Sequence, residues 1–305
     1  MDKKNLKEKI AIIGAGAVGS TIAYSLMVKN LVAEVVLIDV NKDKEQGEVL
    51  DISDALSFSE ISEIKAGDYK DAKDADIIIL TAGLAQKPGE TRLDLVTKNK
   101  TIVTSIFKEI GEIKQSAIIL VVSNPVDVIT YLVEKISNLP KNQVFGTGTG
   151  LDSARLRSNL AKRFDVDGKQ IDGFVLGEHG DSEFVAWSTV SVAGKPIKEI
   201  LNEDEMNKVA LEVKNEVYEI IKDKGATYYG IAMVVVDIVE ALIFDQNKIL
   251  PVSYYLNDWN GVSDVCLGAT AVVGSVGIIK PWPIELKDEE KIKFQESAKK
   301  IRQYL

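Results

Sequence analysis

In the first half of the chain, apolar residues come in short unbroken runs rather than in alternation. KIAIIG, VAEVVLIDV, ADIIILTAG, SAIILVVSNP and VFGTGTG each gather aliphatic and β-branched residues. Such runs read as strands buried on both faces. The segments between them change to helical spacing. One helix follows the turn GAGAVG. Another spans Lys42–Phe58, where Val49, Leu50, Ile52 and Leu56 share a broad apolar side, and a third runs from about Leu93 to Gly111. Buried strands alternating with helices predict a mainly parallel sheet covered on both faces.

The pattern changes after VFGTGTG, near Gly146–Gly150. Ser153–Phe164 reads as a helix, IDGFVLGEHGDS and EFVAWSTVSVAG as strands and turns, and Glu203–Val236 as mostly helical with a break at Lys224–Gly225. KILPVSYYL and CLGATAVVGSVGII are β-branched and punctuated by glycine, which predicts antiparallel strands. A charged helix is expected from Asp288 to Leu305, with Ile292, Ala298 and Ile301 on its apolar side. The fold expected is α/β: a doubly wound parallel sheet over residues 1–146, then an α+β substrate domain with antiparallel strands over residues 147–305.

Composition narrows the function. With 305 residues, 46% of them hydrophobic, the chain can bury a large core. A balance of 37 basic against 46 acidic residues gives a net charge of −9, which opposes nucleic acid as a partner. One histidine and one cysteine cannot supply the usual nitrogen-and-sulfur zinc set, and a lone cysteine excludes an internal disulfide framework. No metal is expected. Cys266, in VSDVCLGATAV, reads as strand interior rather than as a nucleophile. Lys3, Lys4, Lys7 and Lys9 before the uncharged run Ile10–Val28 imitate an export signal or a membrane span. Gly14, Gly16 and Gly19 interrupt that run, and Ser20, Thr21, Tyr24 and Ser25 suit lipid poorly. A buried strand, a tight turn and a helix account for all of it, so a cytoplasmic protein without a membrane partner is expected.

Gly14-Ala15-Gly16-Ala17-Val18-Gly19 matches G-x-G-x-x-G between a strand and a helix. The first glycine permits the tight turn, the second admits a pyrophosphate to the backbone, and the third lets the helix pack closely. Asp39 follows twenty residues after Gly19, at the end of the second strand, where its carboxylate can accept from ribose hydroxyls. The same charge repels a 2′-phosphate, favouring NAD over NADP. The first half therefore reads as a Rossmann-type dinucleotide-binding unit, against the plain alternative of a solvated strand-end carboxylate.

Five further residues offer chemistry. Asp152 and Arg155, three apart in GLDSARLR, can share one helix face, and His179 sits between glycines in GEHGDS. A carboxylate bonded to one imidazole nitrogen fixes the tautomer and favours the protonated ring, leaving the other nitrogen to exchange a proton. Taken alone, the histidine reads more readily as a surface residue than as a catalytic one. The loop QKPGETR follows a strand end bordering the crevice of an open α/β sheet and could act as a lid delivering Arg92, or be an ordinary solvated loop. Asn124, in SNPVDV, occupies the equivalent place after the next strand, suited to hydrogen-bond ribose or substrate or to cap the following helix.

Together GAGAVGS, LIDV, TAGLAQKPGETRLDL, SNPVDV, GTGTGLDSARLR, GEHGDS and KGATYYGIA resemble the L-lactate/malate dehydrogenase family, in particular its bacterial L-lactate branch, in order from about Lys9 to the last helix. The resemblance implies NAD as cofactor, with His179 as acid/base paired to Asp152 and Arg155 gripping a substrate carboxylate. It implies that Arg92 polarises the reacting carbonyl, that Asn124 contacts substrate and cofactor, and that Thr227 lines the substrate pocket. Besides the glycine turn, it places Val18, Asp39, Lys44, Tyr69, Gly83, Leu84, Ser105, Val122 and Thr147 against NAD, with Ile231 on the nicotinamide. Gln86 stands where malate enzymes of the family usually carry arginine, so pyruvate is expected rather than a dicarboxylic keto acid. FVAWSTV is similar to 2-hydroxyisocaproate dehydrogenases, a branch taking larger side chains. By resemblance the enzyme is a cytoplasmic homotetramer of glycolysis, fermenting pyruvate to lactate. Arg157 matches half of an activator site for fructose 1,6-bisphosphate in this family, but Asp172 stands where the partner histidine would be. Little activation is therefore expected. The alternative from another class is a NAD-binding sensor without catalysis.

Overall fold

The computed structural model describes residues 9–58, 63–84 and 92–305. Six parallel strands, β1 (Lys9–Ile13), β2 (Glu34–Ile38), β3 (Glu63–Ala66), β4 (Ile77–Leu80), β5 (Ile118–Val121) and β6 (Val144–Gly146), lie in the order 3-2-1-4-5-6. The helices between them are α1 (Ala17–Val28), α2 (Lys42–Ala55), α3 (Arg92–Ile110) and α4 (Val126–Ile136). α5 (Gly150–Phe164) opens the second half. Short strands follow: β7 (Ile171–Asp172), β8 (Val175–Leu176), β9 (Phe184–Val185), β10 (Ser191–Val192) and β11 (Lys195–Pro196). They make two small antiparallel patches, β11-β10-β7 and β8-β9. After α6 (Glu203–Lys224) and α7 (Tyr229–Ile243) come β12 (Lys248–Tyr255), β13 (Cys266–Gly274) and β14 (Gly277–Pro281), and then α8 (Asp288–Arg302). β12 pairs antiparallel with β6 through Ser253 and Gly146, so β12, β13 and β14 extend the parallel sheet to nine strands.

The unbroken apolar runs make sense because successive side chains of a strand enter opposite layers. Ile10 and Ile12 of β1 join a core with Ile22 and Leu26 of α1, Ile52 of α2 and Val235 of α7. Ala11 and Ile13 join the other core, with Val103 and Phe107 of α3 and Ile129 of α4. A third core, under α5 and α6, gathers Leu156, Leu160, Ile171, Val175 and Val209.

Several expectations shift in detail. Leu50 is 58% exposed, because Val49, Ile52 and Leu56 already define a stripe from which Leu50 points away. Ile292 is 55% exposed; Phe294, Ser297, Ala298 and Ile301 form the buried side of α8, and Ile292 lies opposite. The helix expected from Ser153 begins at Gly150, and the break after Lys224 separates α6 from an α7 that continues past Val236 to Ile243. β3 carries no apolar run: as an edge strand it buries Ile64 between exposed Glu63 and Lys65.

Candidate active site

The glycine turn joins β1 to α1. Gly14 takes φ +111°, and a Cβ there would lie 2.7 Å from Thr81 Oγ1 and 2.8 Å from the Ala82 nitrogen. At Gly19 a Cβ would lie 1.8 Å from the Gly14 carbonyl oxygen, so only glycine lets α1 sit this close to the turn. Gly16 is the N-cap of α1, no side chain caps the helix, and a Cβ at Gly16 would meet nothing within 4 Å. The first turn of α1 carries no acidic residue, whereas α2 is capped by Asn41 and has Asp43 and Glu45. Open space before uncapped N–H groups suits a phosphate and fits the pyrophosphate of a dinucleotide. Beside the turn, Asp39 accepts hydrogen bonds from the Ala15 N–H (2.6 Å) and the Asn41 N–H (2.9 Å), which fixes its carboxylate at the end of β2. Val18 is half-buried in α1. A cavity of about 590 Å³ opens next to Asp39, bordered by Ile38, Lys42, Asp68 and Tyr69. Lys44 is exposed on the first turn of α2, its backbone N–H given to Asn41 Oδ1.

The loops after β4, β5 and β6 carry Gly83 and Leu84, then Val122 and Asn124, then Thr147. Asn99 ties the first two together. Its Oδ1 accepts the Leu84 N–H (2.8 Å), and its Nδ2 donates to the carbonyls of Leu84 (3.2 Å) and Asn124 (2.7 Å). Asn99 is fully buried on α3, between Val96 and Val103 on the same stripe. A polar residue interrupting an apolar helical stripe is the signal that would have exposed it. Ser105 lies on the same helix but is exposed. Gln86 falls outside the described residues; Arg92 begins α3, but its side chain is also outside them.

α5 presents Asp152 and Arg155 from one face, 1% and 6% exposed. His179 Nδ1 lies 2.7 Å from Asp152 Oδ2, while Arg155 Nη1 donates to Asp152 Oδ1 at 3.1 Å. The histidine side chain stays 27% exposed, so the ring is fixed on one edge and reachable on the other. The Asp152 charge pushes the His179 pKa up to about 9, against the opposing effect of burial. Burial would raise the Asp152 carboxyl, but the His179 charge and hydrogen bond, together with Arg155, hold it below the ordinary carboxylate range. Among the described residues, Arg155 Nη2 of the same cluster is buried with no hydrogen-bond partner. A buried guanidinium nitrogen left open is costly, about 1–3 kcal/mol or more for a charged group, unless a ligand completes it.

Three further residues border this cluster in places that the motifs alone do not reveal. Asp127, 1% exposed in α4, accepts the His179 backbone N–H through Oδ2 (3.0 Å) and the Ser253 hydroxyl through Oδ1 (2.6 Å). Burial raises its pKa to about 6 despite those two bonds. Ser297 of α8 accepts the Glu178 N–H at 2.6 Å, bracing the histidine loop from the far side. Glu183, Asp152 and His179 each place an atom within 4.8 Å of the other two, and burial followed by the Asp152 charge lifts the Glu183 carboxyl to about 8. Thr227 is half-buried just before α7, and Ile231, in its first turn, packs against the larger core. Cys266 is buried in β13, and burial pushes its thiol well up, away from nucleophilic use.

A larger cavity, about 1030 Å³, lies between α5, α7 and β12, bordered by Arg157, Asp237 and Lys248. It contains neither the histidine nor the glycine turn. The chemistry belongs to the crevice at the carboxyl ends of the parallel strands, where open α/β sheets bind ligands.

A 3-2-1-4-5-6 sheet with an uncapped glycine turn, a strand-end aspartate and a carboxylate-held histidine defines the class of nicotinamide-dependent dehydrogenases. Residues 8–146 match the lactate/malate dehydrogenase NAD binding domain, and residues 149–305 match the alpha/beta C-terminal domain of the same family. The chain is 44% identical to L-lactate dehydrogenase 1 of Clostridium acetobutylicum, covering 99% of this chain and 98% of that protein. It is 43% identical to an L-lactate dehydrogenase of Clostridium botulinum over 100% of this chain and 98% of the relative. Among solved structures, the minor L-lactate dehydrogenase of Enterococcus mundtii, in a ligand-bound form, superposes with a TM-score of 0.95 at 41% identity, covering 98% of each chain. A lactate dehydrogenase from a Medee basin deep-sea metagenome library gives 0.94 at 38%, again covering 98% of each. This chain belongs to the lactate/malate dehydrogenase family, and its cofactor is NAD.

Proposed function

We propose that the protein is an NAD-dependent L-lactate dehydrogenase that interconverts pyruvate and (S)-lactate, with residues 1–146 holding the nucleotide and residues 147–305 the substrate. The observation that carries this reading is Arg155 Nη2, buried and without a hydrogen-bond partner among the described residues, on a guanidinium that shares Asp152 with His179: a buried cationic donor and a protonated acid on one carboxylate suit a 2-keto acid. Arg155 takes the carboxylate, since a planar guanidinium matches its two oxygens. His179, protonated at neutral pH, gives its ring proton to the keto oxygen; Asp152 stabilises the charged ring beforehand and fixes the tautomer. NADH, when bound, supplies the hydride to the carbonyl carbon. Arg92 stabilises the negative charge developing on that oxygen, and Asn124 and Thr227 line the substrate's remaining surface. In the reverse direction neutral His179 accepts the hydroxyl proton. Gly14, Gly16, Val18, Gly19, Asp39, Lys44, Tyr69, Gly83, Leu84, Ser105, Val122, Asn124 and Thr147 would hold the nucleotide, and Ile231 would shield the nicotinamide from water. A panel of 2-keto acids assayed with NADH and NADPH tests the reading; oxaloacetate or a branched keto acid turning over faster than pyruvate would overturn it.

Two expected results refine it. Asp39→Ser should narrow the preference for NADH over NADPH, measured as the ratio of kcat/KM; wild-type protein using both equally would remove Asp39 from that role. Gln86→Arg should move the kcat/KM ratio from pyruvate towards oxaloacetate by roughly tens-fold, because a neutral amide leaves a second carboxylate uncompensated and about 1.4 kcal/mol is tenfold. An unchanged ratio would place the selectivity elsewhere.

The reading extends to a cytoplasmic homotetramer working in glycolysis and the fermentation of pyruvate to lactate. Among the described residues no helix is long and apolar enough to cross a membrane. Tyr24 and Val28 of α1 and Met233 of α7 are exposed apolar residues that a second copy would cover. Arg157 is faced by the carboxylates of Asp237 and Asp172, so a sugar bisphosphate would meet repulsion there. Pyruvate saturation curves with and without millimolar fructose 1,6-bisphosphate should overlap; a several-fold fall in half-saturating pyruvate would contradict this, and Asp172→His is the variant expected to gain a response.

A further inference from the structure

We propose that Glu45 is a cofactor-specificity determinant, holding the Asp39 backbone and occupying Lys42 so that the ribose end of the nucleotide crevice rejects a 2′-phosphate. Glu45 is a charged residue only 2% exposed, on the first turn of α2. Its Oε2 accepts the Asp39 backbone N–H at 2.5 Å, and Lys42 Nζ lies 3.1 and 3.3 Å from its two oxygens. The same ammonium donates to the Gly67 carbonyl at 2.7 Å and pairs with Asp68 Oδ1 at 3.0 Å.

A lysine ammonium has three donors, and these three acceptors use them all. Lys42 borders the same cavity as Asp39, Asp68 and Tyr69, so it is the cation fixed beside the strand-end carboxylate. Left free, it would offer a phosphate a partner and oppose Asp39. Held by two carboxylates, it leaves the Asp39 charge uncompensated. Lys70 and Lys108 border the cavity as well, but neither is bonded into this cluster by the contacts that fix Lys42. Glu45 thus acts through its neighbours, as a positioning residue. The inference rests on the NAD reading of the crevice and adds a second layer to Asp39.

The test is binding without turnover: fluorescence titration of the protein with NADH and with NADPH, no keto acid present. In Glu45→Gln the amide oxygen can still accept the Asp39 N–H, but the charge that neutralises Lys42 is gone. The Kd ratio of NADPH to NADH should fall by about two- to fivefold, the range expected for a partly exposed ion pair. Adding Lys42→Met should return the ratio towards the wild-type value. Asp68→Asn, at a carboxylate that is 79% exposed, should shift the ratio the same way by less, and it serves if Glu45→Gln does not fold. An unchanged ratio in the folded variants, with NADH binding intact, overturns the proposal; so does a gain that survives loss of Lys42. Failure of the NAD reading would look different, with neither nucleotide binding the wild-type protein.

Discussion

Replacing Asp152 by asparagine should lower kcat/KM for pyruvate reduction by about 10²- to 10⁴-fold, the usual worth of a positioned general acid. The reason lies in charge. Asp152 is the largest influence raising His179 to about 9, so without it the ring returns towards its ordinary value of 6.5 and is mostly neutral at physiological pH. The sign can be followed in a pH profile. Reduction needs protonated His179, so the wild-type rate should hold below about pH 9 and fall above it, while lactate oxidation should rise through the same region. In Asp152→Asn the fall in reduction should begin at lower pH. NADH binding, measured by fluorescence titration, should persist, because the glycine turn and Asp39 lie on other elements. Near-normal reduction in this variant would dissolve the proposed proton relay.

Arg155→Lys should cost about 10²- to 10³-fold in kcat/KM for pyruvate, again with NADH binding retained. Lysine keeps the charge but not the fork. The guanidinium gives Nη1 to Asp152 and keeps Nη2 without a partner among the described residues, whereas an ammonium on a shorter, flexible stem cannot serve two acceptors in one plane. Losing one or two charge-assisted hydrogen bonds, each about 1.5–3 kcal/mol, sets the size of the effect. The loss should appear chiefly in KM, since a carboxylate clamp acts on the ground state as well as the transition state. Saturation by pyruvate at wild-type concentrations would mean that another group holds the carboxylate.

Both variants concern residues that a reading of motifs finds, and the reason is local. Asp152 and Arg155 share a helix face because they are three apart, and the glycine turn is written in consecutive residues. The parallel strands were legible for a similar reason: burial on two faces leaves an unbroken run such as Ile77–Leu80. The edge strand β3 was not, since one buried isoleucine between charged neighbours has no pattern to read. The site's supports were equally hidden. Asp127, Glu183 and Ser297 reach the histidine loop from α4, from the loop's own continuation and from α8. Glu45 could pass for one more charged residue on a polar helix, and nothing in sequence spacing shows that it is buried beneath Asp39.

The bracing of the histidine loop by α8 also bears on the order in which a newly made chain becomes competent. Ribosomes release sequence from the N-terminus, so the glycine turn, Asp39 and the six parallel strands all emerge before any of the second half. Asp152 and His179 come next, but Ser297, which receives the Glu178 N–H, and Lys300, which pairs with Glu178 and Asp181, leave the tunnel more than a hundred residues later. A nascent chain halted before α8 would therefore present nucleotide-binding elements well ahead of a braced proton-transfer loop. Nucleotide capture can precede catalytic competence during synthesis, and a bound cofactor at that stage would favour the folded first half by mass action while the rest is still being added.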